Sequence, residues 1–340
     1  MRVGFLALTD AAPFAVAQHH GLFLKHGLRV ELSREVGWAT IREKIIYGEL
    51  DAAQCLAPML WATHLGIDSV PCPVVTGMVL SMHGNALTLS NRLWEMGIRD
   101  ADSLRDEARR RVGERKLTFG IVFAQSSHHV LLRSWLAAGG INPDRDVRLV
   151  VVPPAQMFRN LASGTIDGYC SGEPWNSLAV RENIGWCPTW SAASALSPVE
   201  KVLMVTERFA QLRSVEHEAL IAALLEACAW CDDPANREPL AHLLGSAQYI
   251  NQSSHVIAPT LLGQFDCGHG RVMSVPDFHV FHRGGANVPT ARKAEALQRD
   301  LVQAGLLKPT QASATLPTQL FREAIFQAAA RTPLPHELVS

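Results

Sequence analysis

Apolar and polar positions alternate along the first part of the chain in a repeating strand–helix rhythm. An apolar run over Val3–Leu8 predicts a buried strand, and Asp10 follows it as a candidate N-cap for a helix over Pro13–Lys25. The alternating run Leu28–Leu32 predicts a second strand, and Trp38–Tyr47 carries apolar residues at helical spacing. Strands that alternate with helices in this way predict a parallel sheet.

The same rhythm restarts in the middle of the chain. Further strands are predicted over Val74–Leu80, Ala86–Leu89, Leu117–Phe123, Val147–Val152, Ile166–Cys170 and Lys201–Thr206. Further helices are predicted over Asp102–Val112, Ser126–Ala138 and Gln156–Ala162. The middle therefore indicates a second α/β unit inserted into the first. We predict two α/β lobes, 1–88 with 193–340 and 89–192, joined by two crossover strands with a ligand cleft between them.

Composition narrows the class of protein without naming a function. The chain has 340 residues, of which 48% are hydrophobic and 19% charged, which is typical of a folded protein with a large core. A net charge of −1 provides no basic field for nucleic acid, and the apolar runs fall short of the ~20 residues of a membrane helix. We therefore expect no direct nucleic-acid binding and no membrane insertion.

The cysteines and the N-terminus bear on the compartment. Seven cysteines, an odd number in a long chain, favour a reducing environment with thiols as small core hydrophobes. The first apolar run ends at Thr9 and Asp10, below the ~7–15 residues of a secretion signal. The sequence therefore predicts an unprocessed cytoplasmic chain, with a removed leader as the alternative.

Several candidate binding residues fall where predicted strands lead into helices. Trp38 stands at a predicted helix start and offers an indole N–H, a donor only; its alternative role is core packing. Asn85 follows a Gly that interrupts a strand, or marks an ordinary bend. His128 belongs to a Ser-Ser-His-His segment that opens a helix, either an anion site or a serine cap beside a surface histidine. Lys201 opens an apolar strand and either extends to solvent or holds a charge in the cleft.

The sequence predicts no catalytic, metal or cofactor site. The segment Gly172–Asn176 forms a shaped turn that a packing tryptophan explains equally well. Cys228 and Cys231 have C-x-x-C spacing, but they lie in an apolar helix without a second pair, which favours core thiols. No nucleophile elbow, phosphate-binding loop or dinucleotide fingerprint is present in the sequence.

Eight segments together resemble the nitrate- and bicarbonate-binding proteins of ABC uptake systems and their cytosolic, NasS-like sensor relatives. The segments, which run in order over nearly the whole chain, are Leu8–Pro13, Trp38–Ala53, Gly84–Ala86, Trp135–Ile141, Gly164–Cys170, Gly172–Asn176, Glu200–Leu203 and Phe281–Pro289. The resemblance implies the type II periplasmic-binding-protein fold and a binding protein that is not an enzyme.

The resemblance also implies an anion site. Carried over residue by residue, that site falls on Trp38, Asn85, His128, Pro154, Ser171 and Lys201. Two positions depart from the family pattern. Asn85 replaces the usual, longer Gln, and the usual His-Pro-Glu-Lys reads Ser197-Pro-Val-Glu-Lys201, with one insertion.

Nitrate suits such a site because it is planar, singly charged and accepts hydrogen bonds without donating any. Four donors at ~1.5–3 kcal/mol each are enough for micromolar affinity, about −8 kcal/mol. Bicarbonate carries a proton and needs an acceptor. Glu200, adjacent to Lys201, is expected on the opposite face of the strand because side chains alternate. We therefore predict nitrate, with nitrite close behind.

The resemblance, together with the predicted compartment, favours a sensor. In that hypothesis nitrate or nitrite closes the lobes and releases an ANTAR-type RNA-binding antiterminator of nitrate assimilation. The first alternative is the substrate-binding component of a nitrate or bicarbonate ABC transporter. The second is a pyrimidine-synthesising enzyme on the same fold, although the cysteine-rich run of those relatives is absent from the sequence.

Overall fold

A computed structural model of the chain describes residues 1–111 and 115–331. The strands are β1 Arg2–Leu6, β2 Glu31–Glu35, β3 Ala52–Leu56, β4 Val74–Val75, β5 Val79–His83, β6 Asn85–Ser90, β7 Thr118–Ile121, β8 Arg148–Val151, β9 Gly168–Gly172, β10 Gly185–Trp190, β11 Val199–Thr206, β12 Gln264–Asp266, β13 Val272–Ser274 and β14 His279–Val280.

The helices flank these strands along the whole described chain. They are α1 Ala12–His19, α2 Leu22–Lys25, α3 Trp38–Ile46, α4 Met59–Leu65, α5 Asn91–Glu95, α6 Ala101–Arg110, α7 Ser127–Ala138, α8 Pro154–Ala162, α9 Trp175–Arg181, α10 Glu207–Leu212, α11 Ser214–Asp232, α12 Arg237–Gly245, α13 Ser254–Leu261, α14 Ala291–Gln303, α15 Leu316–Leu320 and α16 Glu323–Ala329. Among the described residues, none of these helices combines the length and apolarity that a bilayer span requires.

The strands form two larger sheets and one hairpin. The first sheet has the order β14-β5-β11-β3-β1-β2, with β4 paired to β11. The second has the order β10-β6-β9-β7-β8, and β12 pairs with β13. Strand β1 is parallel to both its neighbours, and so is β7, whereas β11 and β6 run antiparallel to theirs. The predicted α/β architecture is confirmed, with mixed rather than wholly parallel sheets.

The chain passes between the two sheets twice, as the two-lobe prediction requires. The first passage is the single residue Gly84 between β5 and β6, and the second lies between Trp190 and Val199. Gly84 has φ +90°, and a Cβ there would lie 2.8 Å from Nδ1 of His279. Glycine is therefore required at this passage by backbone conformation and by close approach. The lobe boundaries 1–88, 89–192 and 193–340 stay a prediction, and 332–340 lie outside the described residues.

Several element boundaries differ from the predicted ones. The first helix is broken into α1 and α2 because Gly21 adopts φ +67°, a left-handed conformation. The second strand begins at Glu31, and the run Val74–Leu80 is divided between β4 and β5. The polar helix is α6, and its predicted end, Val112, lies outside the described residues.

The core consists of one large cluster of buried apolar residues, which includes residues of both sheets, and two smaller clusters at the second sheet. The C-terminal half of the chain contributes to each of these clusters. Cys228 and Cys231 are fully buried free thiols, as predicted. The β12–β13 hairpin packs against the second sheet, where the amide of Cys187 donates to the carbonyl of Cys267 at 2.9 Å. The hairpin therefore ties the C-terminal half to the second lobe.

Candidate functional site

Lys201 lies at the centre of a buried cluster between the two sheets. Its side chain is completely buried, and its Nζ lies 2.7 Å from Oδ2 of Asp10 and 2.6 Å from Oε1 of Glu200. Nζ is also 5.4 Å from the centre of the Trp38 ring, within cation–π range. Burial lowers the pKa of Lys201, but the two carboxylates outweigh it and hold the pKa above its usual value. We call Asp10, Glu200 and Lys201 the Lys201 triad.

Glu200 faces the cleft, so its predicted orientation is wrong. The pairing of β11 with β5 moves from Val199–Met82 directly to Lys201–Ser81, which leaves Glu200 as an extra residue in a β-bulge. A bulge interrupts the alternation of side chains, and Glu200 and Lys201 consequently point to the same side of the strand. The bulge occupies the segment in which the sequence departs from the family pattern by one residue.

The Glu200 carboxylate collects hydrogen bonds from both lobes. It accepts from Nδ2 of Asn85 at 2.6 Å, from Oγ of Ser127 and from Lys201. Nδ1 of His128 lies 3.6 Å from it. Burial raises the pKa of Glu200, but the Lys201 ammonium and the hydrogen bonds from Lys201 and Ser127 outweigh it and bring the pKa below its usual value. The Asn85 amide is thus engaged by a protein carboxylate.

Asp10 is a partner of Lys201 and not the helix cap that the sequence predicted. It lies in a short 3-10 turn, and α1 has no side-chain cap. Its Oδ1 accepts from Nε2 of Gln54 at 2.7 Å. Burial raises the pKa of Asp10 against the lowering effect of Lys201. Asp10 follows the predicted first strand, at the sheet edge where ligands bind. That position is the feature of the sequence from which this role could have been predicted.

Two buried side chains beside the triad have polar atoms without a hydrogen-bond partner among the described residues. These atoms are the indole Nε1 of Trp38 and both ring nitrogens of His128. Burial lowers the pKa of His128 to about 3, Glu200 opposing and Lys201 adding to the shift, so the ring is neutral at pH 7. Buried polar groups without partners are rare in proteins and indicate a binding role.

Four of the six predicted site residues meet around the triad, namely Trp38, Asn85, His128 and Lys201. Trp38 is the first residue of α3, and His128 lies in the first turn of α7, so both stand at helix N-termini. Helix N-termini carry partial positive charge, which favours an anion at this point.

The other two predicted residues are buried on the second lobe, but the structure does not bring their side chains to the triad. Ser171 pairs with Ala86 on β6 and lies on the opposite face of the sheet from Gly172, whose Cβ position would be 3.5 Å from Oδ1 of Asn85. Pro154 opens α8, and the residue before it, Pro153, lies 3.9 Å from the Cβ position of Gly37.

Trp175 and Glu173, left open by the sequence, bridge the lobes. The indole of Trp175 donates to the carbonyl of Ala7 at 3.1 Å, and the amide of Thr9 donates to the carbonyl of Glu173 at 2.8 Å. The Glu173 carboxyl is buried, and burial raises its pKa to about 7. The turn Gly172–Asn176 is thus a contact between the lobes beside the site.

The site offers a cation and hydrogen-bond donors, not a metal-ligand set. No group of three or more His, Cys, Asp or Glu with metal-binding geometry occurs in the part of the chain that the structure describes. A cavity of about 20 Å³ opens beside Glu200, lined also by Asn85 and Ser127. That space holds about one water molecule.

The family model of the NMT1-like family matches residues 1–245. The chain is 40% identical to the nitrate import ATP-binding protein NrtC of Synechocystis sp. PCC 6803, over 85% of this chain and 43% of that protein. It is 37% identical to the bicarbonate transport ATP-binding protein CmpC of Synechococcus elongatus, over 97% of this chain and 49% of that protein. The chain therefore spans less than half the length of these two relatives.

A solved structure extends the likeness to the whole fold. The periplasmic nitrate-binding protein NrtA from Synechocystis PCC 6803 matches with a TM-score of 0.91 and 25% identity, over 100% of this chain and 90% of that one. Sequence and fold therefore agree on one family. The chain belongs to the NMT1-like family, and its predicted resemblance to the nitrate- and bicarbonate-binding proteins of ABC uptake systems is confirmed.

Proposed function

We propose that the chain binds a small planar oxyanion, nitrate with nitrite close behind, between its two lobes. One observation carries the proposal: buried donors from both lobes surround a buried ammonium and have no acceptor in the described chain. Trp38 comes from the first sheet's side, and His128 comes from the second. A ligand that accepts hydrogen bonds supplies what both lack.

The free energy of such contacts is sufficient for useful affinity. A hydrogen bond to a charged ligand contributes about 1.5–3 kcal/mol. Three or four of them, with Lys201 nearby, offset the cost of immobilising the anion and reach micromolar affinity, about −8 kcal/mol. Glu200 faces the cleft and so offers an acceptor to the hydroxyl of bicarbonate, which makes bicarbonate a competing ligand.

A transport role has more support than a sensor role. The relatives are named for nitrate import, bicarbonate transport and nitrate binding, so we propose a binding component of an ABC uptake system. None of these names points to catalysis, which speaks against the enzyme alternative. Release of an ANTAR-type antiterminator and a cytoplasmic location stay predictions. Association with an ATP-binding subunit is compatible with the cytoplasm, where ATP is hydrolysed.

Isothermal calorimetry tests the ligand. The panel is nitrate, nitrite, bicarbonate, an alkanesulfonate and a pyrimidine precursor. We expect micromolar affinity for nitrate and nitrite and no heat with the last two. Lys201→Met removes the buried cation and abolishes binding. Lys25→Met, which breaks an ion pair with Glu226 on the surface, is the matched control and leaves binding unchanged. Equal nitrate affinity in folded Lys201→Met would overturn the proposal.

Affinity purification tests the partner. A tagged chain is recovered from cells grown with and without nitrate, and the bound proteins are identified by mass spectrometry. Transporter subunits in both samples support the uptake role. An RNA-binding protein that is present without nitrate and lost with it would instead favour the sensor.

A further inference from the structure

The Lys201 triad carries one positive and two negative charges. All three residues are at most 2% exposed, so water does not screen their charges. One cation against two carboxylates leaves a formal net charge of −1 (+1 − 2). A monoanion that enters this cleft therefore meets an excess of negative charge.

The other groups that face the triad do not correct this balance. They are His128 on α7, His83 on β5, His279 on β14, Cys55 on β3 and Cys170 on β9. Burial lowers the pKa of each histidine and raises the pKa of both thiols, so all five are neutral at pH 7. The N-termini of α3 and α7 add partial positive charge, but Lys201 is the one full cation among the described groups that face the two carboxylates.

Glu200 already uses donors that a ligand needs. Its carboxylate is flat and negatively charged, as nitrate is, and it receives hydrogen bonds from Asn85, Ser127 and Lys201. The 20 Å³ cavity on its other side, which is lined by Asn85 and Ser127 and not by Lys201, has room for about one water. An incoming anion must share these donors with Glu200, and two anionic oxygens in contact repel unless a proton lies between them.

We infer, on the basis of the proposed function, that the cleft binds a monoanion together with one proton, which is held by the Asp10–Glu200 pair. Nitrate carries no proton, so the pair takes one from solvent when nitrate binds. Bicarbonate brings its own hydroxyl, which donates to a carboxylate of the pair without any uptake. The triad thus sets the preference between the two anions, and pH controls that preference.

The sign of the pH effect follows from linkage. The nitrate complex holds more protons than the free protein, so nitrate affinity rises as pH falls. We expect the dissociation constant to increase by up to about tenfold for each pH unit between pH 6 and pH 8. The dissociation constant for bicarbonate, expressed on the bicarbonate ion itself, stays constant over the same range.

Calorimetry of the unmodified chain in two buffers with different ionisation enthalpies measures the protons directly. We expect uptake approaching one proton per nitrate at pH 6 and none with bicarbonate. Nitrate binding without proton uptake, at a constant dissociation constant, would overturn the inference and leave the proposed function intact. Absence of binding by any anion of the panel at every pH would instead reject the proposed function.

Two isosteric variants locate the proton. Glu200→Gln makes the triad neutral, so nitrate binding loses its pH dependence and at pH 8 is at least about tenfold tighter than in the parent. Glu173→Gln removes a buried carboxyl outside the triad. This variant retains both the proton uptake on nitrate binding and the pH dependence of the dissociation constant for nitrate. The opposite pattern, uptake lost in Glu173→Gln and kept in Glu200→Gln, would place the proton elsewhere and contradict the assignment.

Discussion

Two buried charge clusters in this molecule differ in how completely their hydrogen bonds are made. In the first, which we call the Asp232 cluster, Oδ2 of Asp232 accepts from the amides of His282 and Arg283, both at 2.7 Å. Its Oδ1 accepts from Arg237 and Arg283, so both oxygens are fully used, and only Nη1 of Arg237 lacks a bond. The Asp232 cluster fastens α11 to the segment that follows β14.

The Lys201 triad is surrounded instead by groups without partners. Trp38 and His128 have buried polar atoms that no described residue satisfies, and these come from separate elements of both lobes. Leaving such groups unpaired costs about 1–3 kcal/mol each. Charge and burial therefore do not separate a structural cluster from a binding site. Unpartnered polar atoms gathered around one buried ammonium do, whereas an isolated unpartnered group such as His217 does not.

The largest effect is expected in the Asp232 cluster. Asp232→Ala leaves the buried guanidinium of Arg237 without its counterion, which lowers the free energy of unfolding by about 3–5 kcal/mol. Urea denaturation measures it. Asp144→Ala, which breaks the surface pair with Arg133, is the control and changes the free energy by less than about 1 kcal/mol. Nitrate affinity of folded Asp232→Ala stays within about twofold of the parent, and a larger loss would contradict the structural role.

The next effect is a pH dependence of stability. The pKa of His128 is about 3 in the folded protein, below the unfolded value of 6.5. The unfolded state therefore binds more protons between these values, and stability falls as pH falls through this window. In His128→Asn the free energy of unfolding therefore falls less steeply between pH 6 and pH 4, by about 1.4 kcal/mol per pH unit. Urea denaturation at a series of pH values measures this slope.

His217 provides the matched control for that experiment. It is fully buried in α11, and burial lowers its pKa to about 4. His217→Asn also makes the loss of stability less steep, but it leaves nitrate affinity unchanged, whereas His128→Asn weakens binding. An equal loss of affinity in both variants would place the effect in general packing instead of the site.

The smallest expected effect concerns a single polar atom of the site, the indole nitrogen of Trp38. Trp38→Phe removes an indole N–H that has no partner in the described chain, so affinity falls by about 1.5–3 kcal/mol, while the free energy of unfolding without ligand is unchanged or rises by up to about 3 kcal/mol. Trp61 is equally buried, but its Nε1 donates to Gln298 at 3.0 Å. Trp61→Phe is therefore expected to lower stability by about 1 kcal/mol and leave affinity unchanged. Calorimetry measures the nitrate affinity of both variants, and urea denaturation measures their free energy of unfolding.

The sequence predicted the architecture because apolar periodicity is a local property. The apolar runs Val3–Leu8 and Lys201–Thr206 predict buried strands without any knowledge of the neighbouring strands, and each contains most of a strand in the structure. Gly84 lies at the passage between the lobes. Trp38 and Lys201 were found through family resemblance, and their proximity depends on contacts about 160 residues apart in sequence.

The charge balance of the site could not be predicted in the same way. The orientation of Glu200 depends on a bulge between two strands, and the alternation rule assumes a regular ladder. Asp10 satisfies the cap pattern equally well as a local feature, and only the tertiary contact with Lys201 decides its role. Register irregularities and long-range ion pairs are properties of pairs of elements, which a single segment does not encode.

The bulge at Glu200 has a consequence for engineering. Because one additional residue is accommodated there, the pairing of Val202–Val205 with β3 is regular beyond it. Shortening the segment Ser197–Val199 by one residue is thus a way to turn the Glu200 side chain out of the binding pocket while keeping the pairing of Val202–Val205 with β3. Selectivity between anions in this scaffold is therefore adjustable by loop and strand length, a variable that libraries built from point substitutions never sample.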